Sequence, residues 1–501
     1  MTKAPSAVAI GLWTVVLAAV LPAPARAQDF RGDDFTTVAD EDGGELPREL
    51  SLQETQEERL KRIEEQLKRQ QDKIDEQQKK IDQLEKQKTG RKGFQLYATF
   101  TEGFHLMDDE GNFDMHLGGR ILLHLRDVMG LPHSFGAPPA GRTQPDTFYV
   151  NSFYLISEGT IFKEFGYRVT GEIGTNQAGP IARPETNYVE WKRFKEFSVR
   201  AGNLKVPISP DTIASPLFLD EIERSVLAFF VPNFELAVMS YGSLWDSVVT
   251  WQAAVSNGRS FTAGQGRGRN DDDGAKEWIG RLTFAPFVQD KESVLRLLRV
   301  GLAGTTGRAT DVPMQANFAP TSTELAVTWL TPNTANFLDG RRMRAALDFS
   351  WSYGPVSLRA EGLYRTDKVT RPTAGVDERL LTKAWFAQAG FVLTGEDKLL
   401  DARIKPRHPL GDGGFGAFEL VGRVALGSLE RDTLEALATD LAANTNRMGS
   451  VTIGMNWWPV QNIRISLDGI REQYYGGITF PPNNSRESHL YGILARFQVD
   501  F

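Results

Sequence analysis

The chain has 501 residues, no cysteine, six histidines and a net charge of −7, with a mean hydropathy of −0.32. The missing cysteines exclude disulfide frameworks, thiolate metal sites and cysteine nucleophiles, and the acidic balance argues against nucleic acid as a partner. Beyond the amino terminus no apolar run reaches the ~20 residues that a membrane helix needs.

The first element is an export signal. Lys3 precedes an apolar run from Ala7 to Leu21, and Ala25-Arg26-Ala27 supplies the small-x-small cleavage pattern of a secretory signal peptide, 1–27. An acidic stretch with Gly43-Gly44 and Pro47 follows, read as a flexible linker over 28–50. The composition then shifts to Glu, Lys, Gln and Arg. Leu60, Leu67, Ile74 and Ile81 occupy one heptad position, and Ile63, Gln70, Gln77 and Leu84 the other. This pattern predicts a parallel coiled coil over 51–90, its seam weakened by two polar layers. At ~1.5 Å per residue the rod reaches about 55 Å, a useful length in a periplasm.

From 91 to 501 the sequence reads as successive antiparallel hairpins. The clearest is the last strand, where Tyr491, Ile493, Ala495, Phe497, Val499 and Phe501 form an apolar face and Arg496, Gln498 and Asp500 a polar one. That is a period of two, the mark of a strand between hydrocarbon and water. In lipid such a strand requires a closed barrel, because every backbone group needs a partner. The same alternation appears where Phe113, Met115, Leu117, Ile121, Leu123 and Leu125 oppose Asp114, His116, Arg120, His124 and Arg126. It recurs on both sides of the Gly354-Pro355 turn. The pattern predicts strands at 113–126, 147–162, 165–175, 187–193, 197–206, 234–244, 247–257, 276–287, 294–305, 341–353, 355–365, 383–395, 416–426, 449–459, 462–473 and 487–501. An even count near 16 is that of a water-filled bacterial barrel. Long connections at 127–146, 176–186, 207–233, 258–275, 306–340, 366–382, 427–448 and 474–486 mark the expected extracellular end. Short turns mark the periplasmic end, with 396–415 as a long exception.

Several separated segments resemble the phosphate-selective porin O/P family. They are Gly118-Gly119-Arg120, Glu158-Gly159-Thr160 with Tyr167-Arg168, Lys205-Val206-Pro207, and Glu223-Arg224-Ser225. Further along come Leu393-Thr394-Gly395-Glu396, Gly416-Ala417-Phe418-Glu419 with Arg423, Asn456-Trp457-Trp458-Pro459 and the terminal Phe501. The ordered set spans the whole barrel. The resemblance implies a homotrimeric, 16-stranded antiparallel transmembrane β-barrel in the outer membrane of a diderm bacterium. Its third and fifth loops would fold inward, and its coiled coil would lie in the periplasm. It also implies that a terminal strand ending in Phe501 is read by the outer-membrane assembly machinery. The sequence departs from the family on the second strand, reading Val150-Asn151-Ser152-Phe153 where the family commonly carries paired arginines.

The expected function is passive diffusion of small hydrophilic solutes, with weak preference for anions and possible passage of phosphate. A pore selects by width, lining charge and desolvation. The candidate lining comprises Arg120, Arg126, Arg168, Arg200, Lys205, Arg224, Arg342, Arg344, Arg359, Arg365, Arg423, Arg464 and Arg496. Inward carboxylates oppose them at Glu172, Glu190, Asp348, Glu361, Glu419, Asp468 and Asp500. Guanidinium stays charged and offers forked donors to oxyanions; the alternative is that these arginines pair with neighbouring carboxylates and solvate the wall. Lys398, Arg403, Lys405, Arg407 and His408 either concentrate anions at the exit or enter the barrel. Asp271-Asp272-Asp273 reads as a solvated loop rather than a cation site. No metal or cofactor is expected, and no enzyme, since His116 and His124 share a face without a serine-acid arrangement. The other reading is an envelope tether whose coiled coil contacts peptidoglycan while the barrel serves as its lipid anchor.

Overall fold

The structure, a computed structural model, describes residues 61, 63–81, 94–99, 103–129, 146–176, 179–259, 274–480 and 485–501. The expected signal peptide, the acidic linker and Asp271 to Asp273 lie outside these residues. The chain divides into two compact units, Met1–Gly90 and Arg91–Phe501. In the first, residues 63–81 are helical within the expected coiled-coil segment.

The second unit begins with a small hairpin, β1 (Phe94–Thr99) and β2 (Gly103–Asp108). The first half of the barrel follows as β3 (Phe113–Met129), β4 (Asp146–Ile161), β5 (Phe165–Asn176), β6 (Gly179–Trp191), β7 (Ser198–Lys205), β8 (Phe234–Leu244), β9 (Val249–Ser256) and β10 (Glu277–Phe284). The second half is β11 (Arg299–Pro313), β12 (Phe337–Tyr353), β13 (Val356–Arg371), β14 (Val376–Val392), β15 (Ala417–Leu429), β16 (Arg447–Val460), β17 (Ile463–Phe480) and β18 (Ser485–Asp500). Each of β3 to β18 pairs antiparallel with its sequence neighbour, and β18 returns to β3, from Tyr491 opposite Met129 to Asp500 opposite Arg120. Phe501 finishes the seam: its N–H donates to the Gly119 carbonyl at 3.0 Å, and its carbonyl accepts from the Gly119 N–H at 2.9 Å. Each of these sixteen strands overlaps one of the sixteen predicted.

Two differences from the sequence reading have physical causes. The hairpin β1–β2 was not anticipated. The first residues of β3 lie beyond its pairing with β18, which ends at Asp500 opposite Arg120, and β2 covers that edge by pairing Phe104 to Met107 with Leu117 to Asp114. Several connections expected to be long are strand instead. β13 runs to Arg371 and β14 starts at Val376, leaving a tight turn through Gly375 in the left-handed region (φ 64°). Likewise β6 starts at Gly179, β11 runs to Pro313, β12 starts at Phe337, and β17 runs to Phe480. Here the outward face turns polar, as at Lys368 opposite Arg379, while Leu338, Val369 and Leu380 pack inward on the buried cluster. The apolar alternation ends where the sheet leaves hydrocarbon, but the hydrogen-bond ladder continues. Spanning needs only about 9–11 residues per strand, whereas β17 has 18.

The outward face is apolar and ringed by aromatics at the turn end. Phe391, Phe415, Phe497 and Phe501 are exposed there, and Phe418 stacks on Trp457 with centroids 6.0 Å apart. Rings at this height suit a membrane boundary. The interior is substantially filled. Loop 206–233 and loop 314–336 turn inward, as the resemblance implies, and a buried cluster containing Phe230, Phe318, Trp329, Leu434 and Tyr474 packs with them.

Candidate functional site

The candidate site is the barrel interior, built by the inward register positions of the strands and by loop 206–233. Alternation places Arg344, Arg365, Arg423, Arg464 and Arg496 on one continuous inward wall of β12 to β18, all of them buried. Buried guanidinium needs partners, and the inward loop supplies many of them as backbone carbonyls. Arg464 donates to the Leu219 carbonyl at 2.7 Å, Arg365 to the Phe230 carbonyl at 2.9 Å, and Arg344 to the same oxygen at 3.3 Å. Arg496 donates to the carbonyls of Pro216, at 3.0 Å, and Ile222. Arg423 bridges the two inward loops through Glu221 (3.3 Å) and Glu324 (2.7 Å).

Carboxylates of the wall work in the opposite sense. Asp468 accepts from the Ile222 N–H at 2.7 Å, and Glu361 accepts from Ser209 Oγ and the Asp211 N–H, both at 2.6 Å. From the other side Arg120 donates to Ser215 Oγ at 2.9 Å and Lys205 to the carbonyls of Ile213 and Ala214, and within the loop Arg224 donates to the Ala214 carbonyl. The loop is therefore tied along its length.

The remaining predicted residues divide into two sets. Arg342 pairs with Glu277, Arg359 with Asp401 at 3.0 Å, and Arg126 donates to the Tyr149 hydroxyl at 3.0 Å. His124 is buried between Arg496, at 2.8 Å, and Glu223 of the loop, at 3.3 Å. Arg168 and Arg200, on β5 and β7, differ from all of these. Their side chains retain 31% and 26% exposure while pairing with Glu158 at 2.8 Å and Glu190 at 2.7 Å. Arg200 also lies over the Tyr188 ring, 4.0 Å from its centroid, and Tyr241 donates to Glu190 at 2.7 Å. So the β12 to β18 wall is covered by the loop, and the inward faces of β4 to β7 keep charged groups in contact with solvent.

The turn 393–416 enters the barrel. Its Lys398 is buried and ion-paired with Asp220 of the inward loop at 2.6 Å and with Glu419 at 2.5 Å. Arg403 pairs with Asp500, whereas Lys405, Arg407 and His408 stay exposed. On β4 the segment Val150 to Phe153 contains a bulge: Ser152 faces Leu122 and Val150 faces Leu123, leaving Asn151 outside the register. Sequence reasoning missed the tyrosines at 149, 154, 188 and 241, although each shares an inward position beside an arginine. It also missed Asp220 and Glu324, since nothing local says which wall an inward loop will meet. Among the described residues no cluster of histidine and carboxylate side chains has the arrangement of a metal site.

A family model described as phosphate-selective porin O and P matches residues 134–501. A search of curated proteins returns no match. Among solved structures, the chain is similar to the outer membrane channel DcaP of Acinetobacter baumannii, with 10% identity, a TM-score of 0.48, and coverage of 78% of this chain and 99% of that one. It is also similar to OmpT of Vibrio cholerae, at 9% identity and a TM-score of 0.45 over 78% and 98% of the two chains. OmpF of Salmonella typhi aligns at 10% identity and a TM-score of 0.46, again over 78% and 98%.

Proposed function

The chain belongs to the phosphate-selective porin O and P family, and from that premise we propose that this outer-membrane channel passes small hydrophilic solutes by passive diffusion with a weak preference for anions, phosphate among them. The observation that carries the reading is the uneven interior: one wall is sealed by loop 206–233, and on the other Arg168 and Arg200 remain wet. Guanidinium attracts oxyanions through fixed donors, but each of these shares its charge with a glutamate. The preference is therefore weak. The bulged, arginine-free segment Val150 to Phe153 favours general anion passage over a dedicated phosphate site.

The working unit is a homotrimer seated in outer-membrane lipid, delivered through the signal peptide 1–27 and assembled by machinery that reads the Phe501 strand. Its support is the helix 63–81, on which Ile63, Leu67, Ile74 and Ile81 are all exposed in the single chain. Such a seam is satisfied by identical helices in a periplasmic coiled coil.

Reversal potentials across a planar bilayer under a potassium chloride gradient test the selectivity. Wild-type protein should give a chloride-to-potassium permeability ratio modestly above one, and R168Q/R200Q should bring it to one or below. An unchanged ratio in the double variant would contradict the assignment of these residues.

A further inference from the structure

The long turn 393–416 is a short-end connection that enters the barrel and touches the inward loop through Lys398 and Asp220. Its Lys398 ammonium is buried and sits between two carboxylates from different elements, Asp220 of loop 206–233 (2.6 Å) and Glu419 of β15 (2.5 Å). The surroundings are built to hold this arrangement. Gln388 donates to the second oxygen of Asp220 at 2.6 Å, and Asn456 donates both to the Asp220 carbonyl (2.8 Å) and to Glu419 (2.9 Å). The turn is anchored in its own right, since the Lys398 N–H donates to the Gly354 carbonyl at 2.7 Å and Ile404 packs with Val392, Ala417 and Trp458. Nothing in passive diffusion requires a cation here, because Lys398 is sealed from solvent.

We propose that Lys398 is a positioning residue for the channel: the turn 393–416 latches the middle of loop 206–233 from the short-turn side and thereby sets the free cross-section beside Arg168 and Arg200. The proposal rests on the channel reading for its consequence but not for its geometry. Removing the ammonium takes from buried Asp220 and Glu419 the cation both contact directly and leaves them only the field of Arg359 and Arg464, which drives the 219–221 segment toward water. The other loop ties, at Pro216, Ile222 and Phe230, stay in place, so the effect is local.

The test uses the full chain, which has no native cysteine. A Leu219→Cys reporter places one thiol beside the latch, where Leu219 is buried. In folded, membrane-reconstituted protein, maleimide should label this thiol at least about tenfold faster when K398M is added, a lower bound for breaking a buried ion pair by removing one partner. K405M removes an equal charge from an exposed site in the same turn and should leave the rate unchanged. D220N, nearly isosteric, loosens the contact but leaves Lys398 paired with Glu419, so it should speed labelling less than K398M does, and K398M/D220N should label no faster than K398M, as expected for partners in one contact. Equal rates for the reporter with and without K398M or D220N, or effects that simply multiply in the double variant, would overturn the proposal. Single-channel recording supplies the separate functional arm. K398M should shift the open conductance by about twofold and add sublevels, and conductance identical to wild type would overturn the link to cross-section. A silent wild type would sink the channel reading alone, since labelling reads the latch without conduction.

Discussion

At the scale of single residues, the interior shows why an arginine-rich lining read from alternation is only half a description. The two-residue period correctly points Arg344, Arg365, Arg423, Arg464 and Arg496 inward, because the sheet leaves them no other face. What period two does not carry is whether an inward guanidinium meets water or a backbone carbonyl, since that depends on a loop more than a hundred residues away in sequence, as with Arg344 and Phe230. The same limit hid Asp220. Burial opposes ionisation of its carboxyl, and the ammonium of Lys398, with Arg359, overcomes that cost and holds it down to about 2. An unfolded aspartate titrates near 3.9, so its contribution, about 2 to 3 kcal/mol, is complete above roughly pH 5 and is largely lost as pH falls to about 2. Lys398 is raised from its ordinary value despite burial, through Asp220 and Glu419, so its side of the pair fails only in strong alkali. The thermal midpoint of wild type should exceed that of D220N by a constant margin from about pH 5 to 8, and the margin should close near pH 2. A margin equal at pH 2 and pH 7 would contradict this.

At the scale of elements, strand positions were legible because lipid on one side and a polar interior on the other impose a clean alternation, seen best from Tyr491 to Phe501. Strand length was not. Beyond hydrocarbon, residues such as Thr370, Arg371, Asp377 and Glu378 carry no apolar face, yet they stay paired across β13 and β14. The hairpin β1–β2 was equally hidden, as its role comes from the edge of β3 that lies beyond its pairing with β18. That end makes a prediction. Phe501 contributes one backbone pair to the closing seam and one half-exposed ring, together on the order of 1–3 kcal/mol. Its deletion should lower the yield of barrel in the outer membrane far more than the unfolding temperature of barrels that arrive. Equal yields for wild type and deletion would refute an assembly role for the terminal strand.

At the scale of the whole molecule, the helical segment and the barrel are separate compact units, and the barrel seam closes between β18 and β3 without any residue of the first unit. Removal of 51–88 should therefore leave a folded, conducting barrel while weakening trimer association, read as mass per particle in mild detergent. Failure of that variant to insert would mean that the helix is needed for assembly. The central claim is that the interior retains a permanent water path beside β4 to β7 despite the inward loops. Single-channel recording of the full chain in a planar bilayer tests it most directly. The structure predicts discrete, ohmic conductance steps, in groups of three for a trimer, that persist at low voltage and need no ligand; protein that inserts as folded barrels but gives no conductance would contradict it.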